Sequence, residues 1–135
     1  MNKFKLAVMA PLLAFGIAHA TTPCNDFEIK IKNNLLDDLV VRKIHLEGAD
    51  IQPGGVQKLN KNSAETFTIS NTPELGVFKG ELVFNTLTLP TKEVRILFDL
   101  VGKGLICEHT DRSPAGEVPL VKSRLAGQVL YTIGK

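Results

Sequence analysis

The chain has 135 residues, a length that suits one domain with one hydrophobic core. With no Trp, one Tyr and seven Phe, it offers little material for the aromatic platforms of carbohydrate-binding sandwiches or the aromatic belts of membrane-inserting β proteins. The net charge is only +2, and Lys3 and Lys5 account for it, so the remainder is neutral. A neutral chain without long basic runs argues against nucleic acid as a partner.

The first twenty residues have the layout of a secretory signal peptide. Two lysines precede an apolar run over 6–17, and Ala18 and Ala20 place small residues where signal peptidase requires them. This apolar run of about 12 residues is too short for a transmembrane helix, which needs about 20. We therefore predict a signal peptide over residues 1–20 and a single exported β domain over 21–135. The mature protein would be periplasmic or secreted and would have no transmembrane segment.

Alternation of apolar and polar residues predicts β-strands along the rest of the chain. The first such segment turns Phe27, Ile29 and Ile31 to one face. In the second, the alternation slips between Val41 and Ile44, which predicts a β-bulge. The segments with strand character are 26–33, 39–48, 65–70, 80–89, 94–101, 104–109 and 127–133.

Turn residues separate these segments. Asn, Asp, Gly and Pro fill the connections, and no ten-residue stretch after the signal holds a helical period free of Gly or Pro. The short connection 90–93 predicts a hairpin between two long strands, in the second of which Val94, Ile96, Phe98 and Leu100 share one face. We therefore predict an all-β fold, an antiparallel β-sandwich of seven or eight short strands with Greek-key-like connections. A small β-barrel is the alternative.

The chain contains two cysteines, Cys24 and Cys107, and both lie after the signal. An even pair in an exported protein predicts a disulfide. On the chain-entropy model, a bridge that closes a loop of this length stabilises the fold by about 4 to 5 kcal/mol. Pairing with Cys24 also argues against Cys107 as a free nucleophile, which would leave an unpaired thiol in an oxidising compartment.

Around Cys107, the stretch "LICEHTDR" brings together residue types used in metal sites and in catalysis. In an extended strand Cys107 and His109 point to one face and Glu108 to the other, so the cluster cannot converge on one metal ion. We expect no metal and no cofactor. His109 and Asp111 remain as a candidate catalytic acid–base pair. The alternative is that His109 is exposed at a strand end and Asp111 caps the following turn.

Three residues are candidates for a binding surface. Val77 and Phe78 lie in a glycine-flanked stretch where a turn could expose them, although Phe78 could also fold back onto the core. Asn85 is a polar residue within an apolar strand, and so is Asp99. Either a binding face or the solvent side of an ordinary strand explains such residues.

These observations favour a non-enzymatic binding module that recognises a protein, a glycan or a lipid surface. A first alternative is a small secreted hydrolase that combines dispersed carboxylates with His109 or His45. A second alternative is an assembly subunit that pairs through an exposed edge strand. A histidine and a carboxylate in one concave pocket would favour the hydrolase, and an exposed apolar patch built from loops, such as 72–79, would favour the binding module. An edge strand without lysines, prolines or bulges would favour assembly.

Overall fold

A computed structural model describes residues 22–73 and 76–135, so the predicted signal peptide lies outside the described residues. Within these ranges the chain forms ten strands. They are β1 (Glu28–Asn33), β2 (Leu39–Glu47), β3 (Asp50–Gln52), β4 (Lys58–Leu59), β5 (Ala64–Ser70), β6 (Val77–Thr86), β7 (Glu93–Lys103), β8 (Ile106–Asp111), β9 (Leu120–Leu125) and β10 (Gln128–Ile133). In the part of the chain that is described, no helix is long and apolar enough to cross a membrane.

The strands form two five-stranded sheets that pack face to face. Sheet I has the order β8-β7-β6-β2-β4, and sheet II has the order β9-β10-β1-β5-β3. The sheets remain separate, so the predicted β-sandwich is confirmed and the alternative of a closed barrel is wrong. Ten strands exceed the predicted seven or eight. The three strands that match none of the seven predicted segments are β3 and β4, which are too short to show an alternation, and β9, whose side chains are nearly all exposed.

One pairing departs from the predicted antiparallel arrangement. β10 runs parallel to β1, in register from Gln128 opposite Glu28 to Ile133 opposite Asn33. The other strand pairs are antiparallel, including the predicted hairpin of β6 and β7. Apolar alternation specifies which face of a strand is buried but not the direction of its neighbour, so the sequence could not indicate the parallel pair.

The core lies between the facing sides of the two sheets. The predicted inward residues of β1 and β7 are buried, and the register of β2 shifts between Val41 and Lys43, where the bulge was predicted. Gly80 of β6 leaves room for the Phe98 ring, because a Cβ at position 80 would overlap that ring. The largest fully buried side chains are Tyr131, Phe27, Phe67, Phe84, Phe98, Ile29, Ile31, Leu39, Ile69, Leu82, Ile96 and Leu100.

The predicted disulfide is present and joins the two sheets at one end of the sandwich. Cys24 precedes β1 of sheet II and Cys107 lies on β8 of sheet I, and their Cα atoms are 4.8 Å apart. Both cysteines are buried. We call this end the disulfide end. The opposite end, where β1 and β6 finish and β2 and β7 begin, is called the distal end.

Candidate functional site

A hydroxyl, an imidazole and a carboxylate meet where β8 faces β10. The Tyr131 hydroxyl lies 2.9 Å from His109 Nε2 and donates to Asp111 Oδ1 at 3.2 Å. Alternation along β8 directs Cys107, His109 and Asp111 to the inner side, as the sequence predicted for the first two, while Glu108 is exposed on the outer side. The structure therefore brings the two candidate catalytic residues together, and it adds Tyr131, which the sequence did not indicate.

The His109 ring is packed among aromatic side chains. It stacks between Phe27 and Phe98, with ring centroids 6.2 Å and 5.8 Å away, and meets the Tyr131 ring edge-on. Burial is the main reason that the pKa of His109 falls from 6.5 to about 4, and the positive charge of Lys122 lowers it further. The imidazole is therefore neutral at physiological pH, and it is not exposed at the strand end.

The hydrogen bonds assign the proton positions within this cluster. Tyr131 has one hydroxyl proton and donates it to Asp111, so His109 Nε2 must carry a proton and donate to the Tyr131 oxygen. His109 Nδ1 is then an acceptor, and it is buried with no hydrogen-bond partner among the described residues. Charging the ring is opposed mainly by the burial of the imidazole, which is the first cause of its lowered pKa.

Both partners of His109 are also held in one protonation state. Burial acts to raise the pKa of Asp111, but hydrogen bonds from Ser113 and Tyr131 outweigh this effect and hold the pKa below its usual value. Burial, and then the nearby Asp111 carboxylate, raise the pKa of Tyr131 well above its usual value. General acid–base catalysis needs a group that titrates near the working pH and reaches the substrate. This arrangement is instead suited to holding β8 against β10.

The predicted binding residues on β6 do not form one surface. Phe78 is buried, with its ring against the backbone of Gly48, so it is a core residue and not an exposed contact. Val77 is half-exposed at the start of β6, and Asn85 is partly exposed near its end, where Arg42 can donate to the amide oxygen at 2.9 Å. Val77 and Asn85 therefore lie at opposite ends of the sandwich.

Two other polar residues considered from sequence lie on the outer face of sheet I. His45 is exposed there, opposite Glu81 in register. Asp99 is buried, accepts a hydrogen bond from Arg112 and has Lys79 4.0 Å away. The charge of Asp99 is therefore neutralised locally. Over residues 22–73 and 76–135, no group of three His, Cys, Asp or Glu side chains is placed to hold a metal ion.

An apolar depression lies at the distal end, between the loops that connect the strands there. We call it the distal groove; it has a volume of about 490 Å³. Leu36 lies on one side of the groove and is 92% exposed, and Leu89 lies on another side and is 83% exposed. Its apolar lining residues are Leu35, Leu36, Leu89, Pro90, Val118 and Pro119.

Hydrogen bonds fix the loops that form this groove. Asp37 Oδ2 accepts from the backbone N–H groups of Leu87 at 3.1 Å and Thr88 at 2.8 Å, which ties the β1–β2 loop to the β6–β7 hairpin. The hydrogen bond from the Thr88 backbone is the first cause that lowers the pKa of Asp37, so this carboxylate is ionised. On the other side, the buried Asn33 amide donates to Asp37 O and accepts from Leu35 N. The groove is therefore preorganised by local polar contacts.

A second depression, the lateral cleft, lies where β8 and the β9–β10 hairpin meet at the disulfide end. It has a volume of about 430 Å³, and its lining includes Ile106, His109 and Arg124. The Arg124 guanidinium donates to Cys107 O at 2.9 Å and lies 4.9 Å from the centre of the Phe27 ring. This arginine therefore closes part of the gap between the two sheets.

The sequence contained only a weak signal for the distal groove. Leu35 and Leu36 follow two asparagines and precede two aspartates, in turn-like surroundings without alternation. Leu89 was predicted to end a strand over 80–89, but that strand ends at Thr86 in the structure, so Leu89 lies in the connection to β7. Apolar residues in loops either cover the core or face solvent, and the sequence does not decide between these outcomes. Three loops distant in sequence meet here only in the folded chain.

Comparison with known proteins provides no family from which a site could be inferred. No protein-family model matches this chain, and no curated protein is significantly similar to it. The distal groove, the lateral cleft and the His109 cluster are therefore the features that bear on function.

Proposed function

We propose that the protein is an exported, non-enzymatic binding module whose distal groove takes an apolar segment of another protein. The observation that carries this proposal is the exposure of Leu36 and Leu89 beside the apolar groove. Each Å² of apolar surface removed from water contributes about 25 cal/mol, so clustered exposed leucines favour a bound state. The hydrogen bonds of Asp37 support the proposal because fixed loops lose little entropy on binding.

The lining of the groove favours a protein over a glycan or a lipid surface. None of the groove's lining residues is aromatic, so a sugar ring would find no stacking platform there. Lys92 lines the groove together with Asp37 and Glu117, so the charge at its rim does not favour an anionic lipid surface. Of the three ligand classes, a protein segment with apolar side chains therefore fits the lining of the groove best.

Two further observations support the exported and non-enzymatic parts of the proposal. The disulfide fits a protein that works in an oxidising compartment, in agreement with the predicted signal peptide. The His109, Asp111 and Tyr131 cluster, which a hydrolase would use, has no group that titrates near neutral pH. His109 and Glu108 do line the lateral cleft, but the lowered pKa of His109 argues against its use as a general acid or base near neutral pH.

The test uses peptides selected from a displayed random library against the mature protein, residues 21–135. We expect selected peptides to carry apolar anchors and to bind at least tenfold more weakly to Leu36→Asp and Leu89→Asp, because a charge would enter the apolar contact. Leu125→Asp is the matched control, since Leu125 is 61% exposed at the disulfide end. Equal loss of binding in the control, or no loss in the groove variants, would contradict the proposal.

A further inference from the structure

The four edge strands of the sandwich differ in how they are protected. β4 has two residues and β3 has three, with Pro53 directly after it, so both offer little backbone to a neighbour. β9 carries Lys122 and Arg124, and charged residues on an edge strand oppose pairing. β8 has six residues in regular register with β7 and contains no lysine, proline or bulge. Its charged residues are Glu108, which is paired with Lys103, and Asp111, which accepts from Tyr131, so β8 is the least protected edge of the described sheets.

Half of the backbone N–H and C=O groups of β8 point away from β7. Arg112 N, which directly follows the strand, donates to Leu97 O at 2.7 Å, so the even-numbered positions face β7. In an antiparallel ladder the odd-numbered positions then face outward. The oxygen of Cys107 is one of these, and Arg124 already donates to it. The N–H and C=O groups of His109 and Asp111 face outward, where no further strand lies among the described residues.

Positive charge lies beside this free edge, on the inner face of β9. Lys122 is paired with Tyr131 and Arg124 with Val129, and paired residues of two strands share a face. Because Tyr131 and Val129 are fully buried, the two cations point inward from the edge of sheet II toward β8. Lys122 and Arg124 both act on the electrostatics of His109. An incoming segment would therefore meet Lys122 and Arg124 next to the strand it pairs with, together with the Asp111 carboxylate, whose pKa Lys122 helps to lower.

Apolar surface continues from the same edge. Leu105 is 83% exposed and Ile106 is 65% exposed, at the point where the β7–β8 turn enters β8. Glu108, the acidic residue of the outer face, is already paired with Lys103 at 3.0 Å. The lateral cleft thus combines unpaired backbone, inward cations and apolar contact area along one strand.

We propose that β8 accepts an extended segment of a partner protein as an added strand of sheet I, and that this segment directs an acidic side chain toward Lys122 and Arg124. The outward groups of His109 and Asp111 supply two donors and two acceptors for the added strand. The cations select the acidic side chain, and Leu105 and Ile106 take an apolar residue at the end of the segment. This interaction goes beyond the proposed function because it uses a different surface from the distal groove.

The test uses three synthetic heptapeptides and the mature protein. The first alternates valine and glutamate, the second alternates valine and lysine, and the third is the first with alternate backbone nitrogens methylated. We expect the glutamate peptide to bind at least tenfold more tightly than the lysine peptide in fluorescence anisotropy, and the methylated peptide to lose binding. Amide hydrogen exchange should slow at His109 and Asp111 when the glutamate peptide is bound.

Charge-reversal variants test whether Lys122 itself selects the acidic peptide or whether the net charge of the protein does so. Lys122→Glu should reverse the preference between the glutamate and lysine peptides, because Lys122 faces the added strand. Lys32→Glu is the matched control, since Lys32 is an exposed lysine on β1 of the same sheet, and it should leave the preference unchanged. The Leu36→Asp variant should bind the glutamate peptide as the unmodified protein does, which distinguishes this surface from the distal groove.

Several results would overturn the proposal. Equal affinity for the glutamate and lysine peptides would remove the role of the cations, and undiminished binding of the methylated peptide would remove strand addition. Slowed exchange outside β8 would place the contact elsewhere. Slowed exchange at His109 and Asp111 that grows with protein concentration, without peptide, would mean that a second copy of this chain occupies the edge in place of a partner protein.

Discussion

The His109 cluster and the distal groove place polar and apolar residues in opposite ways. In the cluster, an imidazole, a phenol and a carboxylate are drawn inside and used to join two strands. In the groove, Asp37 stays at the surface while Leu36 and Leu89 face solvent. Residue types that are common in catalytic sites thus lie inside and join two strands, whereas leucines form the exposed surface of the groove. Stability and binding should therefore respond to different substitutions.

The largest effect is expected from removing the disulfide beside the cluster. The double variant Cys24→Ala with Cys107→Ala should lower the free energy of unfolding by about 2 to 5 kcal/mol, because the unfolded chain regains the freedom of a long loop. Urea denaturation of the variant and the oxidised protein measures this difference. Under conditions where the variant is still folded, groove-selected peptides should bind it normally. An unchanged denaturation midpoint would show that the bridge contributes little.

A smaller, pH-dependent effect is expected from His109. Its pKa is about 4 in the folded protein and about 6.5 when unfolded, so between these values only the unfolded chain takes up the proton. Stability is therefore fully present above pH 6.5 and is lost as the pH falls toward 4. Since the ring is partly exposed, we expect a loss on the order of 1 to 2 kcal/mol, less than the full shift implies.

Urea denaturation at a series of pH values, with two variants, checks this assignment to His109. His109→Gln should flatten the profile between pH 4 and 6.5, because the amide does not titrate. His45→Gln is the comparison variant, since His45 lies on the outer face of sheet I and outside the cluster. If His45→Gln flattens the profile instead, the pH dependence does not come from the cluster. Both variants should leave peptide binding to the distal groove unchanged.

The smallest effect on stability, and a selective effect on binding, is expected from Asp37. Asp37→Ala removes the acceptor that fixes Leu87 and Thr88 beside the groove, so groove-selected peptides should bind several-fold more weakly. Asp38→Ala is the control, because Asp38 accepts from Lys61 N in the turn before β5 and does not line the groove. Fluorescence anisotropy gives the two affinities. Equal weakening in both variants would mean that Asp37 has no special role.

Much of the fold could be predicted from the sequence because most strands are buried on one side. Alternation identified the buried faces of β1 and β7, and the slip in alternation located the bulge of β2. Counting cysteines was enough to predict the bridge of Cys24 and Cys107. β9 was missed for a physical reason: its inner face carries Lys122 and Arg124 at an open edge, so it shows no apolar alternation.

Less of the candidate sites could be predicted, because they depend on contacts between distant segments. Asp111 and His109 are close in sequence, but Tyr131 joins them only when β10 lies opposite β8. The lowered pKa of His109 arises first from burial, which involves the rings of Phe27 and Phe98 and cannot be read from its neighbours in sequence. The exposure of the groove leucines likewise follows from the relative positions of three loops.

The parallel pairing of β10 with β1 also affects the order in which the chain can fold. The paired residues Glu28 and Gln128 are 100 positions apart, and Cys24 and Cys107 are separated by 83. A chain that emerges with its N-terminus first therefore holds β1 with one side of its ladder open until β10, about 100 positions later, has appeared. Such distant pairings slow folding and leave an open strand available to other chains meanwhile. The last strand, β10, thus determines when sheet II is complete.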